Sequence, residues 1–330
     1  MLKVLKLKFL GATKYEYQAG GLHRVDSFAE IVFITSQIGK NNMKNNLKIK
    51  LVVLLSLLLM NFVPMNTSCA VAADFIAPVT TVLKTAKLYP PGTWNSSLPL
   101  SDQSNKSHWV FNPAFSDEFR STTLNTQKWF NYDPNTGMGV IPELTVPTTT
   151  GIEFHIKKGP TVGTHVYRGS EIFSKNRLLY GYLEAKIKMP KNYASNDFWL
   201  YAKDTNPAQR TEIDITEQYP GYPGGANIHA MNAHVFYSPT ISKKTSTQSL
   251  FRLWNQKFSD DYHVFGLQWT KSWISWYLDG QLIRYMVNSY WHQPLNIILG
   301  CWDTTRNDLL DPALVPREAM KVKYIRVWKQ

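Results

Sequence analysis

Cysteine is nearly absent from this 330-residue chain, which has only Cys69 and Cys301. Two cysteines build no disulfide framework, and no zinc-ligand spacing accompanies them. The apolar run Leu51 to Val63, broken by Ser56 and Asn61, is too short to span a bilayer. No internal repeat and no DNA-binding motif is found. Lys and Arg are scattered rather than clustered, which argues against nucleic acid as the partner. Helical stretches are few.

The N-terminal region instead has a layout for export. Met43-Lys44-Asn45-Asn46-Leu47-Lys48-Ile49-Lys50 is a basic start, an apolar run follows, and Ala70-Val71-Ala72 offers small residues for cleavage. That is the order of a secretory signal peptide. Residues 43–73 are therefore read as the signal and residues 1–42 as a non-native upstream extension, from a mis-assigned start. The rival is a membrane anchor with a cytoplasmic tail. Asn66-Thr67-Ser68-Cys69 loosely resembles a bacterial lipoprotein box, so a lipid anchor at Cys69 stays open as the minor route. Processing by either route gives a secreted or periplasmic protein. Residues 1–73 hold nine of the 36 Lys and Arg and three of the 24 Asp and Glu, so processing lowers the net charge from +12 to +6. A mildly basic chain suits an acidic polymer.

Residues 74–107, rich in Pro, Ser, Thr and Asn, read as a linker or an extended arm, and residues 108–330 as one domain. Along that domain, short runs alternate apolar and polar residues between Gly, Pro, Asn and Asp. Ile152–Ile156, Gly181–Met189, Trp273–Leu278 and Val322–Trp328 are the clearest, and Asp279-Gly280 marks a hairpin turn. Such spacing predicts an all-β domain of two stacked antiparallel sheets. Cys301, in the apolar run from Leu295 to Trp302, is expected as a buried free thiol. A monomer is the default.

The most informative stretch is Glu212-Ile213-Asp214-Ile215-Thr216-Glu217, three carboxylates in six residues among β-branched side chains that favour a strand. Residues two apart share a strand face, so Glu212 and Asp214 point the same way. Glu217, five places beyond Glu212, falls on the other face unless a β-bulge near Ile215–Thr216 returns it. Crowded like charges cost stability. Glycoside hydrolysis needs them, with two carboxyls about 5–5.5 Å apart in a retaining enzyme. The bland alternative is a solvated edge strand.

The surroundings of the motif resemble glycoside hydrolase family 16. The resemblance runs from about Trp109 to the C-terminus. It begins with Phe115-Ser116-Asp117-Glu118-Phe119 and Lys128-Trp129, then Tyr180-Gly181-Tyr182-Leu183-Glu184-Ala185-Lys186-Ile187-Lys188-Met189-Pro190 and Asp197-Phe198-Trp199-Leu200. After the acidic motif come His263-Val264-Phe265-Gly266-Leu267-Gln268-Trp269-Thr270, Trp276-Tyr277-Leu278-Asp279-Gly280 and Val322-Lys323-Tyr324-Ile325-Arg326-Val327-Trp328. The resemblance implies a β-jelly-roll sandwich of two curved sheets, with a concave cleft for a polysaccharide.

It also implies roles. Glu212 matches the nucleophile, Glu217 the general acid/base and Asp214 the residue between them that assists. Trp199 matches an aromatic beside the cleavage point, against the alternative of a core Trp. His234 matches a cleft histidine, against a core histidine. Trp129, Arg168, Glu171, Tyr219 and Trp254 are further substrate-binding candidates, with Tyr132 and Tyr222 behind them. No cofactor and no catalytic metal is expected. A structural calcium is common in the family, but no stretch here names its ligands.

For the substrate, the bulged acidic motif resembles laminarinases and marine galactanases. Laminarinase-like members carry Trp-Pro-Ala before Phe-Trp, where this chain has Tyr193-Ala194-Ser195-Asn196-Asp197. That, and the segment from Val166 to Lys175, is closer to β-agarases and β-porphyranases. Arg168 and Arg306 are conceivable sulfate partners. A laminarinase, a carrageenase, a transglycosylase and a non-catalytic, lectin-like sugar-binding jelly roll remain the alternatives.

Overall fold

The computed structural model describes residues 3–8, 14–18, 21–25, 30–35, 93–131, 140–162, 165–192, 194–202, 209–218, 227–237, 245–253, 256–303, 312–315 and 317–330. The chain divides into two units, Met1–Val71 and Ala72–Gln330. In the first, β1 (Lys3–Lys8) pairs with β4 (Glu30–Thr35), and β2 (Lys14–Gln18) with β3 (Gly21–Val25). The proposed signal segment and Cys69 lie outside the described residues.

The second unit holds β5 (Val110–Phe111), β6 (Trp129–Phe130), β7 (Thr145–Thr148), β8 (Gly151–Phe154), β9 (Lys157–Val162), β10 (His165–Arg168) and β11 (Ser170–Ser174). It continues with β12 (Gly181–Lys188), β13 (Ser195–Tyr201), β14 (Arg210–Gln218), β15 (Ile228–Tyr237) and β16 (Thr245–Arg252). β17 (His263–Trp269), β18 (Trp273–Leu278), β19 (Gln281–Val287), β20 (Asn296–Trp302) and β21 (Met320–Lys329) complete it. One sheet has the order β16-β15-β14-β13-β20-β11-β6, the other β19-β18-β17-β12-β21-β8-β7 with β5 on β21. Its strand pairs are antiparallel, and the two-sheet sandwich is a jelly roll.

Alternation explains how the sheets stack. On β14 the inward side chains are Ile213 and Ile215. They meet the inward residues of the second sheet, among them Leu267, Trp276 and Ile325, in one continuous core. Cys301 joins that core as a free thiol, and burial pushes it up to about 12. The Asp279-Gly280 turn has φ of 50° and 79°, the left-handed pair that a two-residue hairpin requires.

Residues 93–109, the described end of the segment before the domain and the first residues after it, lie on the outward face of the second sheet around β12 and β21. Trp94 lies against Tyr324 and the Arg326 guanidinium, Ser97 accepts from the Trp328 indole at 2.7 Å, and Trp109 packs on Tyr182. Under this cover Glu184 is fully buried. It accepts from the Leu100 backbone N–H at 3.0 Å and from the Tyr324 hydroxyl at 3.3 Å. Burial pushes its carboxyl up to about 7, although Leu100 and Arg326 pull it down. The unfolded carboxyl ionises near 4.5, so the folded state holds the extra proton between those values. Stability therefore falls as pH rises from 4.5 to 7, by about 3 kcal/mol from this group. Glu184→Gln, which removes the charge, is expected to melt higher than wild type at pH 8 and level with it at pH 4.5. Equal melting at both values would refute the assignment.

Candidate active site

The acidic motif lies on β14, and the bulge is present where the alternation demanded it. Across β13, Trp199 pairs with Asp214 and the next partner, Phe198, with Thr216, so Ile215 is the extra residue. Across β15, Asn232 pairs with Asp214 and Ala230 with Glu217. Glu212, Asp214 and Glu217 thus stand opposite Tyr201, Trp199 and Asp197, three residues that alternate on one face of β13. All three acids share the face turned away from the core. A bulge interrupts the ladder and leaves backbone groups in search of partners. The Trp276 indole, reaching across from the second sheet, donates to the Asp214 carbonyl at 2.8 Å. The Trp291 indole donates to the Glu212 carbonyl at 2.8 Å, so the strand is braced from behind at both acids.

His234 stands opposite Glu212 on β15. Its Nε2 is 3.2 Å from Asp214 Oδ2 and 3.7 Å from Glu212 Oε1, while its Nδ1 meets Ser246 Oγ at 2.6 Å. Glu212, Asp214 and His234 each offer a donor atom within 4.8 Å of the others, a spacing open to a small cation as well as to catalysis. The neighbouring Glu217 favours catalysis. The Asn232 amide donates to Glu217 Oε2. Burial, then the charge of Asp214, pushes Glu217 up to about 8, so it carries a proton at neutral pH. A half-buried acid held protonated beside ionisable carboxyls is the pairing that glycoside cleavage uses.

The other sequence candidates separate. Trp199 lies on the acidic face, stacked on Tyr201 at 5.3 Å and edge-on to Trp302 at 6.0 Å. Glu171 shares that face on β11, in one cross-strand row with Gly300, Asp197 and Glu217. Trp129 is corrected to a core residue: its ring packs on Phe119 and its indole donates to Asp117 at 2.9 Å, so it has no surface to give a sugar. Arg168 is buried in the β9–β10 hairpin, where it lies over Gly159 and donates to the Pro160 carbonyl. Tyr132, Tyr219, Tyr222, Trp254 and Arg306 lie outside the described residues.

Sequence reasoning passed over Asp197 and Tyr201, although alternation from Trp199 reaches both. It also missed Asn232, Phe236 and Arg210. Phe236 stacks on His234 at 5.9 Å, and the Arg210 guanidinium lies over the Tyr201 and Phe236 rings at 5.2 and 4.7 Å. Cross-strand pairing brings these groups together, and no local signal marks them.

Residues 109–330 match the family model described as the GH16 domain of β-porphyranases A–D. The chain is 31% identical over 189 residues to β-porphyranase E of Zobellia galactanivorans, covering 52% of this chain and 67% of that protein. With β-porphyranase D of the same organism it shares 28% over 229 residues, 58% of this chain and 53% of that one. The chain thus spans only about half of that second relative. The crystal structure of porphyranase B from the same organism superposes with a TM-score of 0.60 at 19% identity, over 73% of this chain and 97% of that one.

Proposed function

The chain belongs to glycoside hydrolase family 16, and we propose that it is a retaining endo-hydrolase of red-algal galactans, agarose or porphyran. The observation that carries this reading is the Ile215 bulge, which sets Glu217, protonated at neutral pH, on one face with Glu212 and Asp214. Glu212 attacks the anomeric carbon while Glu217 gives its proton to the departing glycosidic oxygen, leaving a covalent glycosyl-enzyme. Glu217, now ionised, then takes a proton from water as the water opens that ester. Asp214, between the two, holds His234 near Glu212 and keeps the proton affinity of Glu217 high. The cycle is complete with side chains, and no cofactor enters it. Of the rings on this face, Trp302 is half-buried and keeps surface on which a sugar can stack, while the buried Trp199 and Tyr201 pack beside it and support it.

Galactan is favoured by the β-porphyranase relatives and by the Ser195-Asn196-Asp197 run before Phe198-Trp199. The Arg210 guanidinium on the acidic face suits a sulfate-bearing unit. A polymer of this size is met outside the cell, in keeping with export. The test is release of reducing ends by the purified protein from agarose, porphyran, κ-carrageenan and laminarin, with the Glu212→Gln protein as blank. Cleavage of agarose or porphyran is the expected result. Cleavage of laminarin alone would overturn the substrate and leave the mechanism. Binding without cleavage would point to the lectin-like alternative.

A further inference from the structure

A fourth carboxyl belongs to the acidic face, and the three-acid motif does not include it. Asp197 is the direct cross-strand partner of Glu217, and it is buried, 2% exposed. Ser195 Oγ donates to its Oδ2 at 2.7 Å, while its Oδ1 is enclosed without a hydrogen-bond partner. The groups facing it are acidic or neutral. Glu217 and Asp214 approach from β14, and the Cys301 thiol of β20, on the core side of the sheet, is near enough to feel its charge. On the other side Gly300 has no side chain, and beyond it in the same row stands Glu171 on β11. Two ionised carboxylates directly opposite each other, one buried and the other half-buried, would repel strongly. The arrangement resolves if one of them keeps a proton through the whole reaction.

We infer that Asp197 is a positioning residue, a permanently protonated carboxyl whose Oδ1–H donates to Glu217 and holds its carboxylate after the proton has gone to the leaving sugar. This rests on Glu217 being the acid/base. The assignment uses the one buried oxygen of Asp197 that lacks a partner, and it lets Ser195 satisfy the other. Burial, then the charges of Glu217 and Asp214, hold the Asp197 carboxyl well above the usual range, in the same direction. The proton then cycles on Glu217 alone. It leaves for the glycosidic oxygen in the first step and returns from water in the second, while the proton on Asp197 stays.

The sign of a pH shift tests this. In wild type the alkaline limb of kcat/KM reports loss of the Glu217 proton. Asp197→Asn keeps a neutral donor, so that limb should stay in place. Asp197→Leu removes the donor and should move it up by roughly one unit, a tenfold gain in proton affinity. It should also depress kcat at low pH, where Glu217 must be ionised to activate water. A limb that falls in the Asn variant means that Asp197 carries charge, and overturns the inference. So does a limb unmoved in both variants. Should the Leu variant not fold, the infrared spectrum decides: a protonated-carboxyl stretch that persists above the alkaline limb in wild type and vanishes in Asp197→Asn is expected, and its absence refutes the proposal. A Glu217→Gln protein that keeps full activity and the same limb would instead show that the acid/base assignment has failed.

Discussion

Glu212→Gln is expected to lower kcat/KM on the natural polymer by about 10⁴–10⁶-fold, the scale on which enzymes slow when a nucleophile is removed. The substitution is nearly isosteric, so the fold gives it little reason to melt earlier. The backbone at position 212 is fixed by the Trp291 indole, which does not depend on the side chain. The neighbouring His234 keeps its Ser246 and Asp214 contacts. What is lost is an oxygen able to form an ester with the anomeric carbon. Two readouts separate chemistry from damage. The variant should melt with wild type and bind the polymer as tightly. It should also fail to form the covalent glycosyl-enzyme that a slow-turnover fluorosugar traps in wild type. Residual activity within tenfold of wild type, or trapping at another residue, would remove Glu212 from the role.

The sequence disclosed this site unevenly, and the reasons are physical. Glu212 and Asp214 on one face follow from the two-residue period of a strand, a local property. The bulge that returns Glu217 was legible too, because without it the motif would divide between the core and the cleft. Asp279-Gly280 was legible because few residue pairs tolerate left-handed backbone. The Asp197–Glu217 pairing was not. It depends on which residues of β13 and β14 stand opposite each other, and the extra Ile215 shifts that register part-way along. Trp129 shows the opposite difficulty. An aromatic in a short strand looks the same on either face, and only the Asp117 carboxylate waiting for its indole reveals the buried side.

Glu217→Gln is expected to discriminate between leaving groups, an effect that unfolding would not produce. A sugar alkoxide is a poor leaving group and needs the proton, so hydrolysis of the polymer should drop by about 10²–10⁴-fold, the usual contribution of a positioned general acid. An aryl glycoside with an acidic phenol leaves unaided, so its first step should proceed at nearly the wild-type rate. Its turnover should then stall at the glycosyl-enzyme, because the Gln cannot activate water. Azide, which attacks without a base, should restore turnover and yield a glycosyl azide of retained configuration. The pH profile gives a second test of the same group. In wild type, activity on the polymer should fall as pH rises through about 8, as Glu217 loses its proton. The group lies there because burial and the Asp214 charge act together against ionisation, so Asp214→Asn should draw the limb downward. An equal loss on both kinds of substrate, or a wild-type limb that ignores Asp214, would mean that the proton comes from elsewhere.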